Sequence, residues 1–422
     1  MALTEHRSEA AAAAFDPASI RGRFPALARE VNGRPAVFAD APAGTQVPDA
    51  VIEAMTGYFR RSNANLGGAF ATSRESDAVV EAARAAAADL LGCRPEEVAF
   101  GQNMTSLCFG LSRALARELR TGDEIVLTAL DHDANVAPWL AAAEDTGAAV
   151  RWVDVRPRDG TLDLDSLDAA LSPRTKVVAF TLASNALGTI TPAGDVVRRV
   201  RAASDAVVVA DAVHFAPHRS IDVHDLDVDV LFCSAYKFFG PHLGLMAGRA
   251  ELLQRLRPYK VRPAGDGIPD RWETGTQSHE SLAGLTAAVD YLAGMGGSQP
   301  TRREALRHAM SRIGEHERHL AERFLTGVAA IPGLTLYGIA DPARAGDRAP
   351  TFALRIAGRA PREVAEALGD EGIFVWDGNY YALAIMERLD LEATGGAVRI
   401  GFCHYHTTEE VDRVLDALAR LA

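Results

Sequence analysis

The sequence predicts an α/β protein, with a mainly parallel sheet followed by a second, smaller α/β unit. Three observations carry that expectation. Between about Glu97 and Ala247, short β-rich runs alternate with amphipathic stretches, the pattern of repeated βαβ units. Apart from Arg151, the runs are apolar rather than alternating, as in strands covered on both faces. A long, polar, helix-forming stretch from about Thr301 to Leu325 then connects this region to a further set of short strands.

In order, the first region's strands are expected at Val98–Phe100, Ile125–Leu127, Val150–Val153, Val177–Phe180, Val207–Ala210 and Val230–Phe232. Those of the second are expected at Leu334–Tyr337, Thr351–Ile356, Ile373–Trp376 and Val398–Ile400, with a closing helix over Glu409–Leu421. Ligands of such sheets gather at the carboxyl ends of the strands. Asp211, Asn185 and Ser234 each follow a strand at once or within a few residues.

The 422 residues are 48% hydrophobic, enough for a large core, and carry a net charge of −12. That charge argues against nucleic acid or an anionic membrane as the main partner. Cys93, Cys108, Cys233 and Cys403 form no CxxC pair, so neither a zinc site nor a disulfide framework is expected. A reducing, cytoplasmic setting fits. The alanine-rich start has charged residues and no long apolar core, and no run reaches the roughly 18 apolar residues of a membrane span.

Chemistry is concentrated in Leu231-Phe232-Cys233-Ser234-Ala235-Tyr236-Lys237-Phe238-Phe239-Gly240-Pro241. An ammonium set among apolar side chains loses its proton more readily and becomes a usable amine nucleophile, suited to a Schiff base. The alternative is a lysine whose stem is covered and whose head reaches water. The run Val207-Val208-Val209-Ala210-Asp211 ends in a carboxylate, which alone reads first as a helix cap. With Lys237 after the next strand, the pair suits pyridoxal phosphate: Asp211 holds the pyridinium proton and Lys237 the aldehyde carbon. Gly101-Gln102-Asn103-Met104-Thr105-Ser106 leaves a strand and opens a helix, so free amides there and the Thr105 hydroxyl can face an anion.

With these residues in this order, the chain resembles the fold-type I pyridoxal phosphate enzymes of aminotransferase class V, and within them the cysteine desulfurase and selenocysteine lyase group. The likeness runs from Ile20-Arg21-Gly22-Arg23-Phe24-Pro25 to Tyr405-His406-Thr407-Thr408-Glu409-Glu410. It implies a large domain over 36–298 with a seven-stranded type of sheet and a small domain over 299–422. It also implies a segment over 15–35 packed on the small domain, with 1–14 as a tail. His132, in Asp131-His132-Asp133-Ala134-Asn135, matches the residue that stacks on the cofactor ring, although a capping or core histidine is the alternative. Asn185 matches an asparagine near cofactor and substrate carboxylate, and His214 stands where the family usually has a glutamine beside the phenolic oxygen. Met104, Thr105 and Ser234 fall at the phosphate, Tyr236 replaces a common histidine donor, and Thr276 matches the threonine reaching the phosphate of a second subunit in a homodimer. Arg399 matches the arginine that grips an amino acid carboxylate; a structural salt bridge is its alternative.

The chain departs from that pattern where desulfurases carry the cysteine that becomes a persulfide. Its counterpart in Val375-Trp376-Asp377-Gly378-Asn379-Tyr380-Tyr381-Ala382 is Tyr381, and none of the four cysteines is a clear substitute. The stretch from Tyr259 to Asp270 is also short where related enzymes can carry a hairpin. The expected activity is therefore a C–S or related β-lyase, with Lys237 as base or acid at Cα, Tyr380 or Tyr381 as proton donor, and Tyr380 also beside the substrate. Alternatively, Tyr380 and Tyr381 wall an aromatic pocket with Trp376, Phe238 and Phe239. Epimerase or aminotransferase action on a bulkier amino acid is the second reading, and a non-catalytic sulfur-pathway binding protein is the third. No metal site is expected.

Overall fold

The computed structural model describes residues 15–422; the sequence-based tail over 1–14 lies outside them. Seven strands form the large sheet in the order Val98–Gly101, Gly244–Gly248, Val230–Ser234, Val207–Asp211, Thr175–Thr181, Glu124–Thr128 and Ala149–Val153. All are parallel except Gly244–Gly248, which runs antiparallel to both neighbours. That strand was not expected from sequence, because glycine at both ends weakens its β signal. Helices such as Ala71–Leu91 and Met104–Ala116 bury apolar side chains against the two sheet faces. The central strands are accordingly apolar up to their carboxyl ends and buried from Val208 to Asp211 and from Val230 to Ser234.

Thr301 caps the 27-residue helix Arg302–Val328 by accepting from the Glu304 amide, and this helix leads to the second sheet. That sheet is antiparallel, in the order Leu334–Tyr337, Thr351–Ile356, Ala397–Gly401 and Trp376–Gly378. Its last strand starts at Trp376, not Ile373. Ile373 bridges to Val37, leaving Trp376 to pair with Arg399. Asp40 likewise bridges to Gly401, whose amide donates to the Ala39 carbonyl at 2.8 Å, so this segment hydrogen-bonds to the smaller sheet. The preceding segment rests on the same part of the chain through Arg21, which pairs with Glu410 at 2.8 Å. Among the described residues, no helix is long and apolar enough to cross a membrane.

Candidate active site

Asp211 and Phe232 are register partners on parallel strands, so Asp211 and Ser234 emerge together at the carboxyl edge of the large sheet. A single turn, Ala235–Lys237, then carries the lysine over that edge. Lys237 is only 9% exposed, and its Nζ donates to the Pro42 carbonyl. This overturns the water-reaching alternative. Burial, reinforced by the Arg399 charge, pulls its pKa down to about 7 against the opposing pull of Asp211 and Asp40. Burial also pushes the Asp211 carboxyl up to about 6, opposed by the Val213 amide that donates to it at 2.7 Å and by the Lys237 charge.

The antiparallel strand brings a helix end to this floor. Gly244 lies opposite both Ser234 and Gly101, and a methyl group on it would collide with the Asn103 backbone. Asn103 caps the helix Met104–Ala116, accepting from the Ser106 amide at 2.8 Å. The Met104 and Thr105 amides precede the first intrahelical bonds and remain available to an anion. Both residues line one cavity with His132, Asn185, Asp211, His214, Ser234, Tyr236 and Lys237.

His132 is oriented by its own backbone, with Nδ1 accepting from the Ala134 amide at 3.0 Å. Burial, together with the Lys237 and Arg399 charges, pulls its pKa down to about 4, so the ring stays neutral. The neighbouring Asp131 carboxyl group accepts from Thr128 and, at 2.8 Å, from Asn135. Its burial pushes the pKa up to about 8. His214 shares a hydrogen bond of 2.9 Å with Thr351 of the smaller sheet and packs edge-on to His218; burial holds it well below the ordinary histidine range. Tyr236 stacks on His242 with ring centroids 4.9 Å apart.

Arg399 reaches the cavity mouth from the smaller sheet. One Nη donates to the Asn185 carbonyl at 2.9 Å, and its guanidinium lies 4.4 Å from the Tyr380 ring centre. Its Nε and Asn185 Oδ1 are both buried without a partner. Asp40, which sequence reasoning missed, also presents a buried, unpartnered oxygen, and burial lifts its pKa to about 6 against the pull of Arg399 and Lys237. Such orphaned polar atoms mark a place built for a ligand. Asp40 carried no local signal, since its relation to Arg399 and Lys237 exists only in the folded chain.

The rim is the segment from Trp376 to Tyr381. Tyr380 and Tyr381 both adopt left-handed backbone, with φ of 56° and 57°. Their carbonyls accept from Asn185 at 2.9 Å and from the Asp133 amide at 2.6 Å. The Tyr380 hydroxyl donates to the Ala397 carbonyl, which removes it as a free acid. Tyr381 is 73% exposed and stacks on His132 with centroids 5.7 Å apart. Phe238 and Phe239 are instead fully buried in the core, so they do not wall this pocket. Thr276 lines a separate cleft with Gln102, Ser106 and His242.

The cysteines stand apart from this chemistry. Cys108, Cys233 and Cys403 are fully buried, and Cys93 lies just after the helix Ala71–Leu91. None lines the cavity or its mouth. Burial pushes the Cys93 thiol up to about 12 and raises the other three as well.

Residues 37–414 match the family model for aminotransferase class-V. The chain is 33% identical to a cysteine desulfurase of Synechococcus elongatus over 98% of its own length, and spans 64% of that relative. Thus it covers less than two thirds of the length of some curated relatives. It is 31% identical to a cysteine desulfurase of Cronobacter sakazakii, covering 96% of this chain and 98% of that one. Among solved structures, the apo cysteine desulfurase from Thermococcus onnurineus superposes with a TM-score of 0.85 at 27% identity, over 96% of this chain and 98% of that one.

Proposed function

Because the chain belongs to the aminotransferase class-V family of pyridoxal phosphate-dependent enzymes, we propose that it acts on an amino acid through Lys237 as a C–S or related β-lyase, without forming a persulfide. The residues present fit the cofactor. Asp211 would hold the ring nitrogen protonated, and neutral His132 would lie against the ring face. Asn185 and His214 would meet its phenolic side. The Met104 and Thr105 amides, with the Thr105, Ser234 and Tyr236 hydroxyls, would hold the phosphate. The unpartnered Asn185 Oδ1 and Arg399 Nε support such a fit. When bound, pyridoxal phosphate supplies an electron sink for the substrate's Cα.

The chain's own residues do the rest. The Arg399 fork, with Asn185 beside it, binds the α-carboxylate and orients the Cα–H bond. Lys237, whose depressed pKa makes the neutral amine accessible near pH 7, takes the Cα proton. A group on Cβ then leaves with its electron pair, and the Tyr381 phenol protonates it. The released enamine acid hydrolyses to a 2-oxo acid and ammonia, which are pyruvate and ammonia for a cysteine derivative.

The observation that carries the lyase reading is the rim: Tyr381 stands at the pocket mouth and every thiol lies elsewhere with little thiolate at neutral pH. The lack of any strand between Tyr259 and Asp270 gives no hairpin for handing sulfur onward. An epimerase or aminotransferase outcome is a second reading. It draws on the same Tyr381, whose exposed phenol could protonate Cα from the face opposite Lys237. Incubation with S-substituted L-cysteines separates the readings. The lyase yields pyruvate and free thiol in equal amounts; recovery of the D-epimer or the intact keto acid would refute it.

The assembly we propose is a homodimer in which Thr276 reaches the phosphate in the second subunit. Its place in a cleft apart from its own Lys237 supports this. The chain divides into a large unit over 36–298 and a smaller one over 299–422, and works in the cytoplasm.

A further inference from the structure

The two cations that line the pocket mouth are buried, and its exposed rim carries none. Lys237 and Arg399 are both buried, and in the reading above both are engaged by cofactor and α-carboxylate, so neither remains for the substrate's side chain. Toward the mouth, the lining changes to Phe109, Trp376 and Tyr381, with Asp133 and Asp377 among them. Asp377 is already paired with Arg362 at 3.2 Å. The Asp133 carboxylate has no ion pair or hydrogen bond among the described residues, although its backbone amide holds the Tyr381 carbonyl. Asp133 is half-buried, and that burial raises its pKa. A half-buried, unpaired carboxylate has already lost part of its hydration, and it attracts an arriving cation more strongly than a fully solvated one does. The exposed faces of Trp376 and Tyr381, 51% and 73% exposed, suit the same guest, since ring faces attract positive charge.

We propose that the substrate carries a cationic nitrogen on its side chain, bound between the Asp133 carboxylate and the Trp376 and Tyr381 ring faces. Asp133 is thus a specificity-determining residue. This inference rests on the β-lyase reading for its placement of the α-carboxylate on Arg399. An anionic side chain is disfavoured at this end by Asp133, and a neutral one leaves that carboxylate unpaired.

The test uses two ligands of nearly equal shape, S-(2-aminoethyl)-L-cysteine and S-propyl-L-cysteine, which differ in a terminal ammonium against a methyl. Each is titrated into the holoenzyme while the visible absorbance of the bound cofactor is followed, which gives a dissociation constant independent of turnover. The aminoethyl compound is expected to bind about tenfold more tightly at low salt, with the advantage shrinking as salt is added. Asp133→Asn should remove most of that advantage and leave the propyl compound's affinity unchanged. Trp376→Leu should reduce it by a smaller factor. Equal affinities, tighter binding of the propyl compound, or a preference that survives Asp133→Asn would overturn the inference. In each of those cases a responsive cofactor band would leave the β-lyase reading standing. A purified protein with no cofactor band after reconstitution would overturn that reading, and this inference with it.

Discussion

The floor and the rim of the pocket are built in opposite ways. Asp211, Ser234 and Lys237 stand on adjacent strand ends of the large sheet, are buried, and take their positions from strand register. Trp376 to Tyr381 hang from an edge strand of the smaller sheet, are largely exposed at Trp376 and Tyr381, and include two successive left-handed tyrosines. A tyrosine in that conformation costs on the order of 1 kcal/mol, offset here by hydrogen bonds to the Tyr380 and Tyr381 carbonyls and from the Tyr380 hydroxyl. The contrast separates two tasks: a rigid floor activates Cα, whereas the rim chooses the substrate and the fate of its Cβ group.

Substitutions on the floor should therefore cost far more than those on the rim. Lys237→Ala removes nucleophile and base together, and should lower turnover by about 10⁴-fold or more. Rates within a few-fold of wild type would place the chemistry elsewhere. Asp211→Asn should retain cofactor but lose roughly 10²–10³-fold in kcat, because charge near the ring is no longer stabilised; undiminished kcat would remove Asp211 from that role. Arg399→Ala, at the junction of floor and rim, should raise KM by about 100-fold with a smaller effect on kcat. An unaltered KM for every accepted amino acid would show that the carboxylate binds elsewhere. Tyr381→Phe keeps the ring stacked on His132 and removes only the phenol, so a loss of about tenfold in kcat is expected, confined to poor leaving groups. A uniform loss across leaving groups would argue for a structural role.

The pH response offers a further check on the floor. With the Lys237 pKa near 7, the neutral amine dominates above that value. Loading of apoprotein with pyridoxal phosphate should accelerate as pH rises through about 7 and level off beyond it. A rise displaced toward the ordinary lysine range near 10 would mean that Lys237 is solvated rather than buried.

The floor was legible in sequence because it is written locally. A buried strand ending in Asp211, and another ending shortly before an aromatic-flanked Lys237, survive as patterns in the linear chain. The rim and the supports were less legible because their contacts join distant segments. Pro42 accepts from Lys237, Asp40 lies near Arg399 and Lys237, and Ile373 gives up its expected strand position to pair with Val37. Phe238 and Phe239 misled for the same reason: adjacency to Lys237 in sequence put them near the pocket, but the turn after Lys237 sends both rings into the core, Phe239 beside Phe24. The strand Gly244–Gly248 escaped notice by its glycines, and one of them is what lets the Asn103 helix end approach the sheet. Gly244→Ala should accordingly cost about 1–3 kcal/mol of stability by denaturant titration and weaken cofactor retention.

Intact-protein mass spectrometry after turnover with L-cysteine and S-substituted L-cysteines tests the central claim most directly, with pyruvate measured in the same samples. The account predicts pyruvate without any mass increase on the polypeptide, because no thiol lines the pocket. Addition of a sulfur atom that maps to Cys93, Cys108, Cys233 or Cys403, in step with product, would contradict it and restore persulfide transfer.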